Sequence, residues 1–270
     1  MKVLFWNTHQ NKDINPILYE IIVENNISIV ILAEYDAQAD DLIESLARHG
    51  VVMWKYITTG CDRISILGNI SRVEPGMQSQ YASIQVIHDK DIFCCVHLPS
   101  KIFSQNEGMR NIAISQIISD IRSIEEEINT ENTIVVGDFN IDPFEAGCIN
   151  ADLLHSIPVY VETQKKSRII AGQEFRMFYN PMWNFLGDFN SPFGTYYFSG
   201  SNVDNTFWHL YDQVILRPAL RERFIDNSLR ILTETKSKSL LNSRGHPDKC
   251  ISDHLPIVFE IREDYHGEKT

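Results

Sequence analysis

Long apolar runs are missing from this chain of 270 residues; stretches such as IVILA at 29–33 fall far below the ~18 residues of a membrane-spanning helix. No membrane span is therefore expected. The opening MKVLFWNTHQNKD turns polar after Trp6 and lacks the apolar core of a secretory signal, so a cytoplasmic protein is expected. Cysteine is scarce and odd in number: Cys61, Cys94, Cys95, Cys148 and Cys250, with no CxxC pair. Reduced thiols fit this better than a disulfide or zinc framework. Basic charge is also short, with 24 Lys/Arg against 36 Asp/Glu and a net charge of −12, which excludes a broadly basic nucleic-acid coat. There is no P-loop, no GxSxG and no HExxH, which argues against nucleotide-triphosphate coupling, a serine nucleophile and a zinc protease. No internal repeat, low-complexity tract or linker interrupts the chain. A single domain over 1–270 is expected, with no obligate protein partner evident.

What is present is an ordinary globular composition, 43% hydrophobic and 22% charged. The acidity is uneven: residues 1–159 hold 10 basic and 22 acidic residues, whereas 217–249 hold 8 basic and 4 acidic. A local basic face, including Lys236, Lys238, Arg244 and Lys249 on a mobile loop at 235–249, is compatible with this.

Buried strands are expected at 2–7, 28–34, 63–69, 82–87, 92–97, 133–140, 211–218 and 255–261. Helical spacing of apolar residues marks 14–25, 38–48 and 108–128. In the last, Ile114, Ile117, Ile118, Ile121, Ile124 and Ile128 form the stripe and Glu125–Glu127 are expected to face solvent. Residues 158–209 read as long loops with one short strand at 194–198. Several strands are apolar throughout, so both of their faces are covered. Hairpin-linked strands mixed with helices favour an α/β (α+β) chain of two stacked mixed sheets with helices outside, over a doubly wound sheet.

Polar residues sit where the apolar strands stop. Asn7, Glu34 and His97 end three strands, Asp138 and Asn140 follow a fourth, Asp212 opens another, and Asp253 and His254 precede the last. Groups at the ends of core strands stand on rigid supports and can converge. Glu34, Asp138, Asp253 and the Asn7 amide are hard oxygen donors, suited to Mg²⁺, Mn²⁺ or Ca²⁺ rather than zinc. His97 and His254 can move protons or donate to an oxyanion, and Asp212 beside His254 would fix its tautomer. The inventory describes metal-assisted hydrolysis, most naturally of a phosphate ester.

Six motifs occur in order: WN at 6–7, AE at 33–34, VHLPSK at 96–101, GDFN at 137–140, YDQVIL at 211–216 and SDHLP at 252–256. The set resembles the endonuclease/exonuclease/phosphatase superfamily, the DNase I-like fold, over nearly the whole chain. That resemblance implies a four-layer α/β/β/α sandwich and a Mg²⁺-dependent phosphodiester hydrolase, with Mn²⁺ as a substitute. It implies Glu34 as the principal metal carboxylate with Asn7 and Asp253 close to the ion. Asp138 and Asn140 match the pair that orients or activates the attacking water and contacts the phosphate. His254 matches the catalytic histidine, Asp212 its carboxylate partner, and His97 the residue that holds a phosphate oxygen.

Three functions stay open on these residues: a nuclease on DNA or RNA, a hydrolase of a small or lipid phosphate ester such as an inositol phosphate or phospholipid headgroup, and a non-catalytic binding protein. Two departures stand out. The family's first motif often continues with Asp or Asn and then Gly, whereas this chain has Asn7-Thr8-His9-Gln10; strand alternation would place His9 on the face of Asn7. A second GDFN at 187–190 follows an aromatic loop region rather than a buried strand, and reads as a chance match.

Overall fold

Alternating side chains within the apolar runs decide which layer each residue joins. A computed structural model describes residues 1–100, 107–203 and 205–263; Lys101, the last residue of the VHLPSK motif, lies outside them. In chain order the elements are β1 (Lys2–Asn7), α1 (Asn15–Asn25), β2 (Ile29–Ala33), α2 (Ala39–Arg48), β3 (Trp54–Lys55), β4 (Ile64–Gly68), β5 (Val73–Gln78), β6 (Ala82–Ile87), β7 (Asp91–His97), α3 (Glu107–Glu127) and β8 (Thr133–Asp138). They continue as α4 (Ala146–Ile149), β9 (Ser156–Ile157), α5 (Tyr160–Thr163), β10 (Ser167–Ile170), β11 (Gln173–Arg176), β12 (Phe178–Tyr179), β13 (Tyr196–Tyr197), β14 (Trp208–His209), β15 (Asp212–Leu216), β16 (Arg230–Ile231) and β17 (Ile257–Glu260).

One sheet has the order β16-β17-β1-β2-β4-β3 and the other β5-β6-β7-β8-β15-β12-β9. Both are mixed: β1 runs parallel to β2 and antiparallel to β17, and β7 runs parallel to β8, which is antiparallel to β15. Successive residues of the second sheet point to opposite sides. Phe93, Cys95, Ile134, Val136 and Val214 join the core shared with Phe5, Ile31 and Ile66 of the first sheet. Cys94, Val96, Val135 and Ile215 meet Ile114, Ile117, Ile121 and Ile124 of α3. On the far side of the first sheet, Leu18, Ile21 and Ile22 of α1 and Leu42 and Leu46 of α2 close the stack. Helix, sheet, sheet and helix are thus the four layers expected from the motif set. No described helix is long and apolar enough to cross a membrane.

Three sequence expectations need correction. Glu125 is buried rather than solvated, because the α3 stripe widens by one position four residues after Ile121 and faces the second sheet. There its carboxylate accepts hydrogen bonds from Arg217 Nε (2.8 Å), Arg217 Nη2 (3.2 Å), Arg176 Nη1 (3.1 Å) and Thr133 Oγ1 (2.6 Å), which offset its desolvation. The 158–209 stretch holds more regular structure than one strand: β10 and β11 form a hairpin, β12 joins the second sheet, and β13 pairs with β14. These pieces are two to four residues long, too short for periodicity to reveal. The 235–249 loop is tied down, not free. Lys236 N–H donates to Glu24 (3.0 Å), Ser237 Oγ donates to Glu20 (2.7 Å), and His246 stacks on Tyr197 with ring centroids 3.5 Å apart.

Candidate active site

Strand register lines up the first row of site residues. In β7, β8 and β15, His97 stands beside Asp138 and Asp138 beside Asp212. Paired residues on neighbouring strands project to the same face about 5 Å apart, so three polar side chains form one line at the end of the second sheet. Gly137 permits the close approach of β7 to β8 at this point: a Cβ there would collide with the Val96 carbonyl.

The first sheet supplies the facing row. Asn7 pairs with Ala33 across β1 and β2. The chain then turns at Glu34, whose φ of +49° lies in the left-handed region and is uncommon outside glycine and asparagine. The loop before β17 is anchored from below. Ser252 Oγ donates to the Asn7 carbonyl (2.7 Å) and accepts the His254 N–H (3.1 Å), while Trp6 Nε1 donates to the His254 carbonyl (2.9 Å). Trp6→Phe keeps an apolar ring but leaves that buried carbonyl without its donor. A loss of about 2 kcal/mol is expected, within the range for an unsatisfied buried group plus lost packing. Urea denaturation reads it; a change below about 0.5 kcal/mol would mean the carbonyl finds another donor.

The two rows meet in one cavity of about 410 Å³. Asn7, Glu34, His97, Asp138, Asn140, Asp253 and His254 line it, and Asp212 lies directly behind His254. All eight sequence-derived candidates are therefore brought together. Asn7 Nδ2 donates to Asp138 Oδ2 (2.9 Å) and, more weakly, to Glu34 Oε1 (3.4 Å). Asp138 Oδ1 accepts the Asn140 N–H (2.8 Å), and Asn140 Nδ2 donates to the Leu98 carbonyl (3.0 Å). One amide hydrogen and the carbonyl oxygen of Asn140 remain for a ligand. His97 Nε2 is 3.6 Å from Glu34 and 3.8 Å from Asp138. His254 Nδ1 is 2.8 Å from Asp212 Oδ2, and its Nε2 is 4.0 Å from both Asp138 and Asp253.

Electrostatics follow from this crowding. Burial is the largest single influence on His254 and works against its charged form. The carboxylates of Asp212, Asp138 and Asp253 together outweigh it and push the imidazole pKa up to about 10. Burial pushes the Asp212 carboxyl up, and its contact with His254 pulls it back. Burial, then Asp253 and Asp138, raise the Tyr196 hydroxyl.

The donor set fits a divalent cation. Glu34, Asp138 and Asp253 are hard oxygen ligands that line the cavity. Asp253 Oδ1 is buried with no hydrogen-bond partner among the described residues, although His9 Nδ1 lies 3.2 Å away. Oxygens of Asp138 and Asp212 and a nitrogen of His254 also fall within 4.8 Å of one another. Asp212 already holds the His254 Nδ1 proton, so that trio is better described as a hydrogen-bonded dyad beside a carboxylate. Among the described residues, no lysine or arginine lines the cavity. None of the basic loop residues Lys236, Lys238, Arg244 and Lys249 reaches it.

Solved structures of similar fold are known. The chain matches an AP endonuclease from Archaeoglobus fulgidus with a TM-score of 0.56 at 13% identity, over 97% of this chain and 100% of the other. It matches the 3′ phosphatase NExo from Neisseria, bound to product DNA hairpin, with a TM-score of 0.56 at 14% identity over the same shares. An endonuclease/exonuclease/phosphatase family protein from Leptotrichia buccalis gives 0.56 at 13% identity, again over 97% and 100%. The chain has the endonuclease/exonuclease/phosphatase fold. No family model and no curated protein matches the sequence.

Within that fold, further residues line the cavity. His9 reaches the site by a different route from the one alternation suggests. The strand stops at Asn7, His9 has φ +50°, its N–H donates to Asn7 Oδ1 (3.0 Å), and its ring turns toward Asp253. Tyr196, Phe198, His209 and Tyr211 build an aromatic wall, with Asn202 and Asn205 beside it. The second GDFN does not join them: Phe189 is fully exposed, and Asn190 donates to the Asn184 carbonyl.

Proposed function

We propose that this protein is a divalent-metal-dependent phosphodiester hydrolase acting on nucleic acid. The observation that carries the reading is the cavity itself: carboxylates, imidazoles and an amide from both sheets converge where, among the described residues, no lysine or arginine joins them. A phosphodiester is an anion, and it enters such a site only with a cation beside it.

Glu34 and Asp253, with the Asn7 amide next to them, would hold Mg²⁺ or Mn²⁺, which when bound supplies positive charge against the phosphoryl oxygens. The remaining work belongs to the chain's own groups. Asp138, its carboxylate fixed by Asn7 and Asn140, orients a water and accepts its proton. Asp212 holds the Nδ1 proton of His254, which leaves Nε2 for a phosphoryl oxygen. His97 and the free amide hydrogen of Asn140 take another oxygen of the same group. The cavity lining supports nucleic acid as substrate, since Phe198 offers a ring for stacking and Asn202 an amide for edge hydrogen bonds. The DNA-bound state of the Neisseria relative points the same way.

A panel of plasmid, single-stranded DNA and RNA, each with Mg²⁺, Mn²⁺ or EDTA, tests this. Cleavage of at least one polymer is expected with metal, with loss in EDTA and recovery on adding Mg²⁺. No cleavage of any polymer removes the nuclease reading, and undiminished cleavage in EDTA removes the metal. The 3′ phosphatase relative makes a terminal phosphate the second substrate to assay, by release of inorganic phosphate from the same DNA.

A further inference from the structure

A second imidazole–carboxylate pair borders the same cavity. His209 Nδ1 lies 2.7 Å from Asp142 Oδ2, and Asp142 Oδ1 accepts the Leu210 N–H at 2.8 Å. Both side chains are buried. A carboxylate in this geometry only accepts, so the Nδ1 proton belongs to His209 and the other nitrogen, Nε2, is left for chemistry. The side-chain hydrogen bond of His209 among the described residues is the one at Nδ1, which leaves Nε2 out of it. The contrast with His155 is instructive: that ring is fully buried away from the cavity and its Nε2 is taken by Arg168 at 2.9 Å. His155 is a structural histidine; His209 lines the cavity.

The two pairs are joined by stacked rings. His209 lies against Tyr211 (centroids 4.7 Å apart), Tyr211 against Tyr196 (5.3 Å), and Tyr196 against His254 (4.9 Å). The ladder puts Tyr211 and Tyr196 between His209 and His254, with Tyr196 also 6.4 Å from His209. In-line displacement at phosphorus has two ends, the entering water and the departing oxygen. Of the residues assigned above, Asp138 serves the first and none protonates the second.

We propose, building on the phosphodiesterase reading, that His209 is a catalytic residue that protonates the departing oxygen. The new bond forms between the water oxygen and phosphorus, and the water proton goes to Asp138. The P–O bond to the departing alcohol breaks with its electron pair on that oxygen. The proton on His209 Nε2 moves to it, giving the neutral alcohol and a neutral imidazole that regains its proton from solvent. Asp142 accepts the hydrogen bond from His209 Nδ1–H throughout and stabilises the charged ring.

The test varies the departing group. His209→Asn retains a nitrogen near the Nδ1 position for Asp142 and removes Nε2; His209→Gln places a non-acidic amide near Nε2. Each is assayed on the polynucleotide that the parent cleaves and on bis(p-nitrophenyl) phosphate, whose p-nitrophenolate departs without a proton. Both variants are expected to lose about 100-fold in kcat on the polynucleotide, the scale of a general acid. The nitrophenyl ester is expected to fall by less than about 5-fold, since no general acid is needed there. That residual turnover, with thermal melting, reports that the variants are folded. Equal losses on both substrates mean that His209 only holds the β14 segment in place and overturn the assignment. So does no loss on either. A parent inert on every phosphodiester overturns the functional reading itself and this assignment with it.

Discussion

Asp138→Ala is expected to lower kcat/KM on the cleaved polynucleotide by about 10³-fold, within the range for loss of a positioned acid–base group. Three features set that size. The carboxylate is 1% exposed, so bulk water does not substitute for it. Both of its oxygens are already directed, by the Asn140 N–H and the Asn7 amide. Its neighbours in register, His97 and Asp212, approach the same point from adjacent strands. The substitution also frees the Asn7 amide, so some of the loss will appear in KM. Steady-state kinetics at saturating Mg²⁺ check the expectation, and equal rates for variant and parent would mean that Asp138 takes no part in the reaction.

Asp212→Asn is expected to cost a similar factor by a different route. The residue touches no substrate; it holds His254 by the 2.8 Å contact at Nδ1 and acts as a positioning residue. An amide there can donate to Nδ1 and impose the opposite tautomer, the change that cripples a catalytic dyad while sparing its geometry. A titration readout separates this from a folding defect. In metal-free protein the His254 pKa of about 10 lies above its unfolded value near 6.5. Its contribution to stability is therefore full below pH 6.5 and is lost as pH rises through about 10. With Asp212 replaced, burial remains and a principal carboxylate is gone, so the pKa should fall. NMR of the imidazole across that range, alongside kcat, measures both effects. An unchanged His254 titration would show that Asp212 does not govern it.

Much of this site was legible in the sequence because strands carry information at their ends. A buried run such as IVILA has no use for Glu34 except where the chain leaves the core, and GDFN follows IVV for the same reason. The motif order then tied these ends to a fold. Two kinds of residue stayed hidden. Glu125 looked like part of an acidic surface run, since its partners Arg217 and Arg176 come from 92 and 51 residues away. His209 and Asp142 are 67 residues apart and only meet through the pairing of β15 with β8. Short pieces such as β9, β12 and β14 gave no periodic signal, because their pairing is decided by tertiary context rather than by the two residues in each.

The division of the site between the two sheets has a consequence for how activity arises during folding. His97, Asp138 and Asp212 ride on one sheet, and Asn7, Glu34 and the His254 loop on the other. Neither half holds a complete set, so a chain with only one sheet formed is inert, however native that sheet is. Under the proposed function, recovery of hydrolysis after dilution from denaturant is therefore a clock for the docking of the sheets, the step that closes the core shared by Phe5 and Phe93.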